Sequence, residues 1–189
     1  MALILLTNDD GYDAAGLQAL YKGLKERFDV FVVAPHTQQS GASHSLTLRK
    51  PIRVEKLHEK FYIVGGTPTD CVLLAYHDLM KTGIDLVVSG INHGPNMGSD
   101  VFYSGTVAAA LQGASLGIRA VAISAMGDAS CDFTNAVEYS CDLIARVLAS
   151  EKRDLILNVN IPDGRIKGGK VTRMGKRIYK DKVIRDRAK

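Results

Sequence analysis

Ala2-Leu3-Ile4-Leu5-Leu6-Thr7-Asn8-Asp9-Asp10-Gly11 is the stretch that decides the fold. An apolar run without alternation, cut off by turn-forming residues, describes a strand buried on both faces of a parallel sheet. Working outward, Leu17, Leu20, Tyr21, Leu24 and Phe28 recur at helical spacing, and residues 30–34 form a second buried strand that stops at Pro35. Residues 35–47 are polar and rich in Ser and Gly, which predicts a loop. Residues 52–57 and 61–64 read as a strand pair, partly solvated because charges interleave the apolar positions.

Thr67-Pro68-Thr69-Asp70 predicts a helix start, with Thr67 as N-cap, Pro68 at the first helical position and Asp70 closing a capping box. Its apolar face would be Val72, Leu73, Tyr76, Leu79 and Met80. A buried strand over 86–89 leads into a long loop over 90–105, then an alanine-rich helix over 106–116 closed by Gly117. A strand over 120–124, a helix over 133–149 and a strand over 155–160 complete the order. Alternating strands and helices imply right-handed parallel crossovers. The expected fold is therefore a three-layer α/β/α, Rossmann-like, mostly parallel sheet. Ligands in such folds bind outside the carboxyl ends of the strands.

The 189 residues suffice for one compact domain, read as 1–169, followed by a basic segment, 170–189. Net charge is +4, but from Lys170 onward there are nine Lys and Arg against two Asp. The preceding residues carry 15 basic and 18 acidic side chains, a net of −3. A mildly acidic body with a basic tail argues against a nucleic-acid groove. No apolar run is long enough to span a membrane, and the short apolar start has no basic segment before it, so a cytoplasmic protein is expected. Cys71, Cys131 and Cys141, odd in number and without CxxC spacing, read as small hydrophobes rather than a disulfide framework or zinc site.

Three polar clusters follow strands. The first, Asn8-Asp9-Asp10-Gly11, sets two carboxylates side by side; alone it reads as a turn, but such a pair repels itself unless a cation is near. The second runs from Gln38 through Ser40 and His44 to Ser45, hydroxyls and an imidazole that could complete a metal shell or touch phosphate. The third runs from Ser89 through Asn92 and Asn96 to Ser104-Gly105-Thr106, where a helix begins. Unpaired N–H groups, the helix dipole and two hydroxyls form an anion site there. Carboxylates for a hard divalent ion and N–H groups for a phosphate on one sheet edge point to metal-assisted phosphomonoester hydrolysis of small metabolites. Absence of GxxxxGK[ST], of GxGxxG after the first strand and of GxSxG argues against NTP-driven, dinucleotide and serine-hydrolase chemistry.

At these clusters the chain resembles the SurE family of stationary-phase survival proteins. The resemblance lies in Ile4 to Gly11, in Val33-Ala34-Pro35 through Ser40-Gly41 to His44-Ser45-Leu46-Thr47, in Gly66-Thr67-Pro68-Thr69-Asp70-Cys71-Val72, in Ser89 to Gly98 and in Tyr103 to Ala110. It implies a nucleotidase releasing phosphate from nucleoside 5′- and 3′-monophosphates, with short polyphosphate as a further substrate. It implies that Asp9, Asp10, Ser40 and Asn92 ligate one divalent ion per subunit, Mg²⁺ or Mn²⁺. Asn96, Ser104, Gly105 and Thr106 would hold the phosphate. Homodimers or homotetramers built partly from C-terminal elements are also implied. Thr69 stands where the family usually has Ala, and Gln112 where it often has Glu; neither is expected to touch the metal shell. The family generally runs past residues 173–189, so a shortened or incomplete C-terminal arm is expected.

On this reading Asp9 and Asp10 are catalytic as well as ligating, and His44 is the candidate proton donor to the leaving group. Attack by water or by an aspartate is left open by the residues, with water preferred. The alternative function is a non-catalytic nucleotide- or phosphate-binding module using the same helix N-terminus without metal.

Overall fold

The computed structural model describes residues 1–127, 132–176 and 178. Among them seven strands form one sheet: β1 (Leu3–Thr7), β2 (Asp29–Pro35), β3 (Val54–His58), β4 (Phe61–Val64), β5 (Leu86–His93), β6 (Ala120–Ala125) and β7 (Ile156–Ile161). Their order is β3-β4-β2-β1-β5-β6-β7. Every pairing is parallel except the β3–β4 hairpin at one edge. The chain runs outward from β1 to β2 and later returns to β1's other side as β5, so the strand order reverses around β1. Loops leaving β1 and β5 diverge there and open a crevice at their carboxyl ends.

Among the described residues four α-helices cover the sheet: α1 (Ala15–Leu24), α2 (Pro68–Leu74), α3 (Gly105–Ser115) and α4 (Thr134–Ala149). One core contains Ile4, Leu6, Val32 and Val88 from the strands with Leu17, Leu20 and Leu24 of α1 and Ile144 and Val147 of α4. The opposite core contains Leu5, Val33 and Val87 with Cys71 and Val72 of α2 and Val107, Ala109 and Ala110 of α3. Successive β1 residues thus point into different cores, because strand side chains alternate faces. This is the expected three-layer architecture. The alanines of α3 let it lie close to the sheet: a Cβ on Gly113 would stand 2.7 Å from a Val87 methyl.

The Thr67 capping box is present, the Asp70 N–H donating to Thr67 Oγ1 at 3.1 Å and the Thr67 N–H to Asp70 Oδ2 at 2.9 Å. Beyond it the expected apolar face needs correction, because Tyr76 is exposed. Residues 75–79 form a widened turn, with the Met80 N–H donating to the Ala75 carbonyl five residues back at 2.9 Å. The extra residue per turn rotates Tyr76 outward and Met80 inward. The expected loop over 90–105 is also shorter than the sequence suggests. Strand β5 continues through Gly90 and Ile91 to pair Asn92 with Ser124 and His93 with Ala125 after a register shift. Gly90 makes this possible at φ +137°, where a Cβ would meet the Ile123 carbonyl oxygen at 2.3 Å. Helix α1 ends at Leu24, and Phe28 reaches the core from the turn beyond it.

Edge strands are as solvated as the interleaved charges predict, all five residues of β3 being exposed. Cys71 and Cys141 are free and buried, and burial raises both thiols above their usual range; Cys131 lies outside the described residues. Residues 170–176 and 178 are exposed and carry no helix or strand, and the remainder of the basic segment lies outside the described residues. Among the described residues no helix is long and apolar enough to cross a membrane.

Candidate active site

Strand β1 delivers its turn into the crevice. The buried Asn8 amide donates to the Gly11 carbonyl at 2.8 Å, closing the turn around Asp9 and Asp10. Asp9 is only 4% exposed. Its Oδ1 accepts the Thr106 hydroxyl, and the Thr106 backbone N–H also reaches the carboxylate. Burial pushes the Asp9 pKa up to about 6; the Thr106 bonds pull it down and the charge of Asp10 pushes it further up. Asp10 is raised too, chiefly by burial, against the His93 N–H that donates to its Oδ2 at 3.3 Å.

The first turn of α3 meets Asp9 at close range. A Cβ on Gly105 would lie 2.8 Å from the Asp9 Cβ and 3.0 Å from its Oδ2, so only glycine fits. Ser104 is the N-cap, its Oγ accepting from the Val107 N–H at 3.1 Å. The Thr106 N–H is taken by Asp9, while the N–H groups of Ser104 and Gly105 have no partner among the described residues. Two free donors and a helix dipole at one point suit an anion.

Asn96 is held from an unexpected direction. Its N–H donates to Asn160 Oδ1 at 2.8 Å. Its carbonyl accepts from the side chains of Asn158 at 2.9 Å and Asn160 at 3.1 Å. Its own amide donates to Ser124 Oγ at 2.9 Å, leaving Asn96 Oδ1 without a partner among the described residues. Sequence reading missed Asn158, Asn160 and Ser124. Asn158 and Asn160 sit on β7 at alternate positions, so they share a face, and paired asparagines at a strand's carboxyl end were the available signal.

Asn92 donates its amide to the Gly94 carbonyl at 2.7 Å, which leaves its oxygen as the free end. The Gln39 N–H donates to the Asp9 carbonyl at 2.6 Å, bringing the Ser40 segment to the β1 turn. Ser40 itself is exposed and accepts from the Gln38 amide at 2.9 Å. His44 is exposed, its Nε2 paired with Gln112 Oε1 at 3.0 Å. Gln112 lies seven residues into α3, about 10 Å along the helix from Gly105. The structure therefore brings Asp9, Asp10, Asn92, Gly105 and Thr106 together, places Ser40 and Asn96 on adjoining segments, and pairs His44 with Gln112 of α3.

Among the described residues no three Asp, Glu, His or Cys side chains are placed to share a metal. The donor set here is two carboxylates with neutral oxygens, which suits a hard divalent cation. Two adjacent carboxylates, both pushed up by burial, are the observation that accords with such an ion. The carboxylate form is disfavoured until a positive charge offsets it.

Known proteins resemble this chain in sequence and in fold. The sequence profile of the family described as "Survival protein SurE" matches residues 4–181. The "5'-nucleotidase SurE" of Idiomarina loihiensis is 47% identical over 191 residues, covering 99% of this chain and 76% of that protein. The "5'/3'-nucleotidase SurE" of Proteus mirabilis is 48% identical, covering 94% of this chain and 71% of that one. The crystal structure of the SurE protein from Aquifex aeolicus superposes with a TM-score of 0.89 at 47% identity, over 94% of this chain and 74% of that chain. The chain thus spans about three quarters of the length of these relatives, and by sequence and by fold it belongs to the SurE family.

Proposed function

We propose that this chain is a metal-dependent phosphomonoesterase. It hydrolyses nucleoside 5′- and 3′-monophosphates to nucleoside and phosphate, and it trims short polyphosphate. The nucleotidase class is supported by the names of relatives 47–48% identical to the chain. The observation that carries the reading is the meeting of Thr106 with Asp9, which makes the anion-binding end of α3 and the carboxylate end of β1 one place.

Asp9, Asp10, Ser40 and Asn92 would hold one Mg²⁺ or Mn²⁺. When bound, such an ion polarises a phosphoryl oxygen and acidifies water. The substrate phosphate lies against the free N–H groups of Ser104 and Gly105, with the Asn96 oxygen fixed beside it through Asn158 and Asn160. These groups are held before substrate arrives, so little reorganisation opposes the transition state. Water is the preferred nucleophile. Asp9 is engaged by Thr106 and crowded by the Gly105 backbone, which leaves it poor freedom to approach phosphorus in line. His44 would exchange Gln112 for the leaving oxygen and donate a proton there. Assembly as a homodimer or homotetramer and a cytoplasmic location belong to the same reading.

The test is hydrolysis of a nucleoside monophosphate panel after EDTA treatment and again after adding Mn²⁺ or Mg²⁺. Activity lost and then restored is expected. Tight nucleotide binding without phosphate release under either ion would favour the non-catalytic module instead.

A further inference from the structure

Immediately before the phosphate-binding turn, two aromatic side chains face solvent: Phe102 is 66% exposed and Tyr103 is 65% exposed. Neither ring makes an aromatic contact among the described residues, although Tyr12, Tyr21, Phe31, Phe61, Tyr62 and Tyr76 do. Most bulky rings among the described residues are at least partly packed, so two adjacent open ones form a local apolar surface.

Their backbone is not loose. Ser43 Oγ donates to the Phe102 carbonyl at 2.6 Å, and the Ser43 N–H donates to the Tyr103 carbonyl at 3.1 Å. Tyr103 in turn donates its N–H to Asp100 at 3.0 Å. The next residue, Ser104, is the α3 N-cap, and Gly105 rests on Asp9. The two rings are thus carried on a segment anchored on both sides, with the Phe102 Cα within about 8 Å of the Ser104 Cα. A phosphate on the Ser104 and Gly105 N–H groups leaves the far end of a nucleotide within reach of these rings.

We propose that Phe102 and Tyr103 form a stacking platform for the nucleobase of the substrate, a proposal that rests on the nucleotidase reading. Stacking accepts any base, since each has a π-face, so the platform favours nucleotides over base-free phosphate esters without selecting one base. Phenylalanine and tyrosine suit the task because each loses only two side-chain torsions when it is immobilised. No polar group of this segment is needed for recognition, which distinguishes the platform from a hydrogen-bonding base pocket.

The experiment compares hydrolysis of adenosine 5′-monophosphate and ribose 5-phosphate, which shares the phosphate and sugar but lacks the base. It uses the full chain with Mn²⁺ and the variants Phe102→Ala, Tyr103→Ala, Phe102→Tyr and Tyr103→Phe, each checked by sedimentation velocity. The wild type should prefer the nucleotide. Either alanine variant should raise KM for the nucleotide about tenfold while ribose 5-phosphate kinetics stay as they were, and the ring-conserving variants should retain the preference. Three results would overturn the platform: no preference in the wild type, equal losses on both substrates, or losses that accompany a changed sedimentation coefficient because the rings contact a second copy. A wild type that hydrolyses neither substrate removes the nucleotidase reading, and the platform with it.

Discussion

Replacing Asp9 by Asn should make the metal-free protein more stable while removing its activity. Asp9 is nearly inaccessible and its pKa is pushed up to about 6 from 3.8, with burial the largest cause. A carboxyl whose folded pKa lies above its unfolded value favours folding fully below about pH 4, and that contribution is lost as pH rises through 6. At pH 7.5 the folded chain therefore carries a penalty for an ionised Asp9. About two units at about 1.4 kcal/mol each come to about 3 kcal/mol. Asparagine keeps an oxygen for the Thr106 hydroxyl but adds N–H groups in need of an acceptor, which lowers the net gain to about 2 kcal/mol. For a chain of this size that is about 4–8 °C in Tm. The assay is thermal unfolding of both proteins in EDTA at pH 7.5 and pH 5, repeated at pH 7.5 with excess Mn²⁺. In EDTA the variant should melt higher at pH 7.5, and the gap should narrow at pH 5. With Mn²⁺ the wild type should recover about 2.7 kcal/mol at a hundredfold excess over Kd, and the variant should recover little. A variant that melts at or below the wild type in EDTA at pH 7.5 would refute the reasoning.

Three other perturbations probe different parts of the site. Asn160→Ala removes two of the three hydrogen bonds to the Asn96 backbone; it should raise the KM for nucleotide about tenfold or more while Mn²⁺ affinity measured by calorimetry is unchanged. Gly105→Ala forces a methyl group against Asp9. It should abolish activity and lower stability by about 1–3 kcal/mol, measured by urea unfolding. Thr69→Ala should act oppositely. The Thr69 hydroxyl is buried without a partner among the described residues, so its removal should raise the urea midpoint, by about 1 kcal/mol in stability, with kcat unaffected.

The layered fold was readable because its strands are unbroken apolar runs and its helices keep a 3.6-residue spacing. Where local chemistry and tertiary pairing disagreed, the sequence misled. Gly90 and Asn92 look like turn residues, yet β5 runs on past Gly90 and pairs with β6 again from Asn92, since backbone groups in the sheet interior must find partners. Tyr76 follows a helical period that ceases at the widened turn, and side-chain spacing alone does not reveal such a turn. In the site, adjacency in sequence marked Asp9 with Asp10 and Ser104 with Thr106. The support of Asn96 was invisible because its β7 partners lie 62 and 64 residues away on another strand. His44 was legible only as a histidine in a polar loop, and its partner Gln112 comes from a different element.

The reach of the last strand has a consequence for how the chain matures. Asp9 meets Thr106 across 97 residues, and Asn96 meets Asn160 across 64. Closing such distant segments costs loop entropy that is recovered only when the sheet between them has formed. During synthesis the turn after β1 emerges first and stays without its helix until α3 is made. The support for Asn96 is then absent until β7 docks. No partial chain ending before β7 can hold Asn96 as the finished protein does, so competence for phosphate should arrive in a single late step rather than accumulate with length.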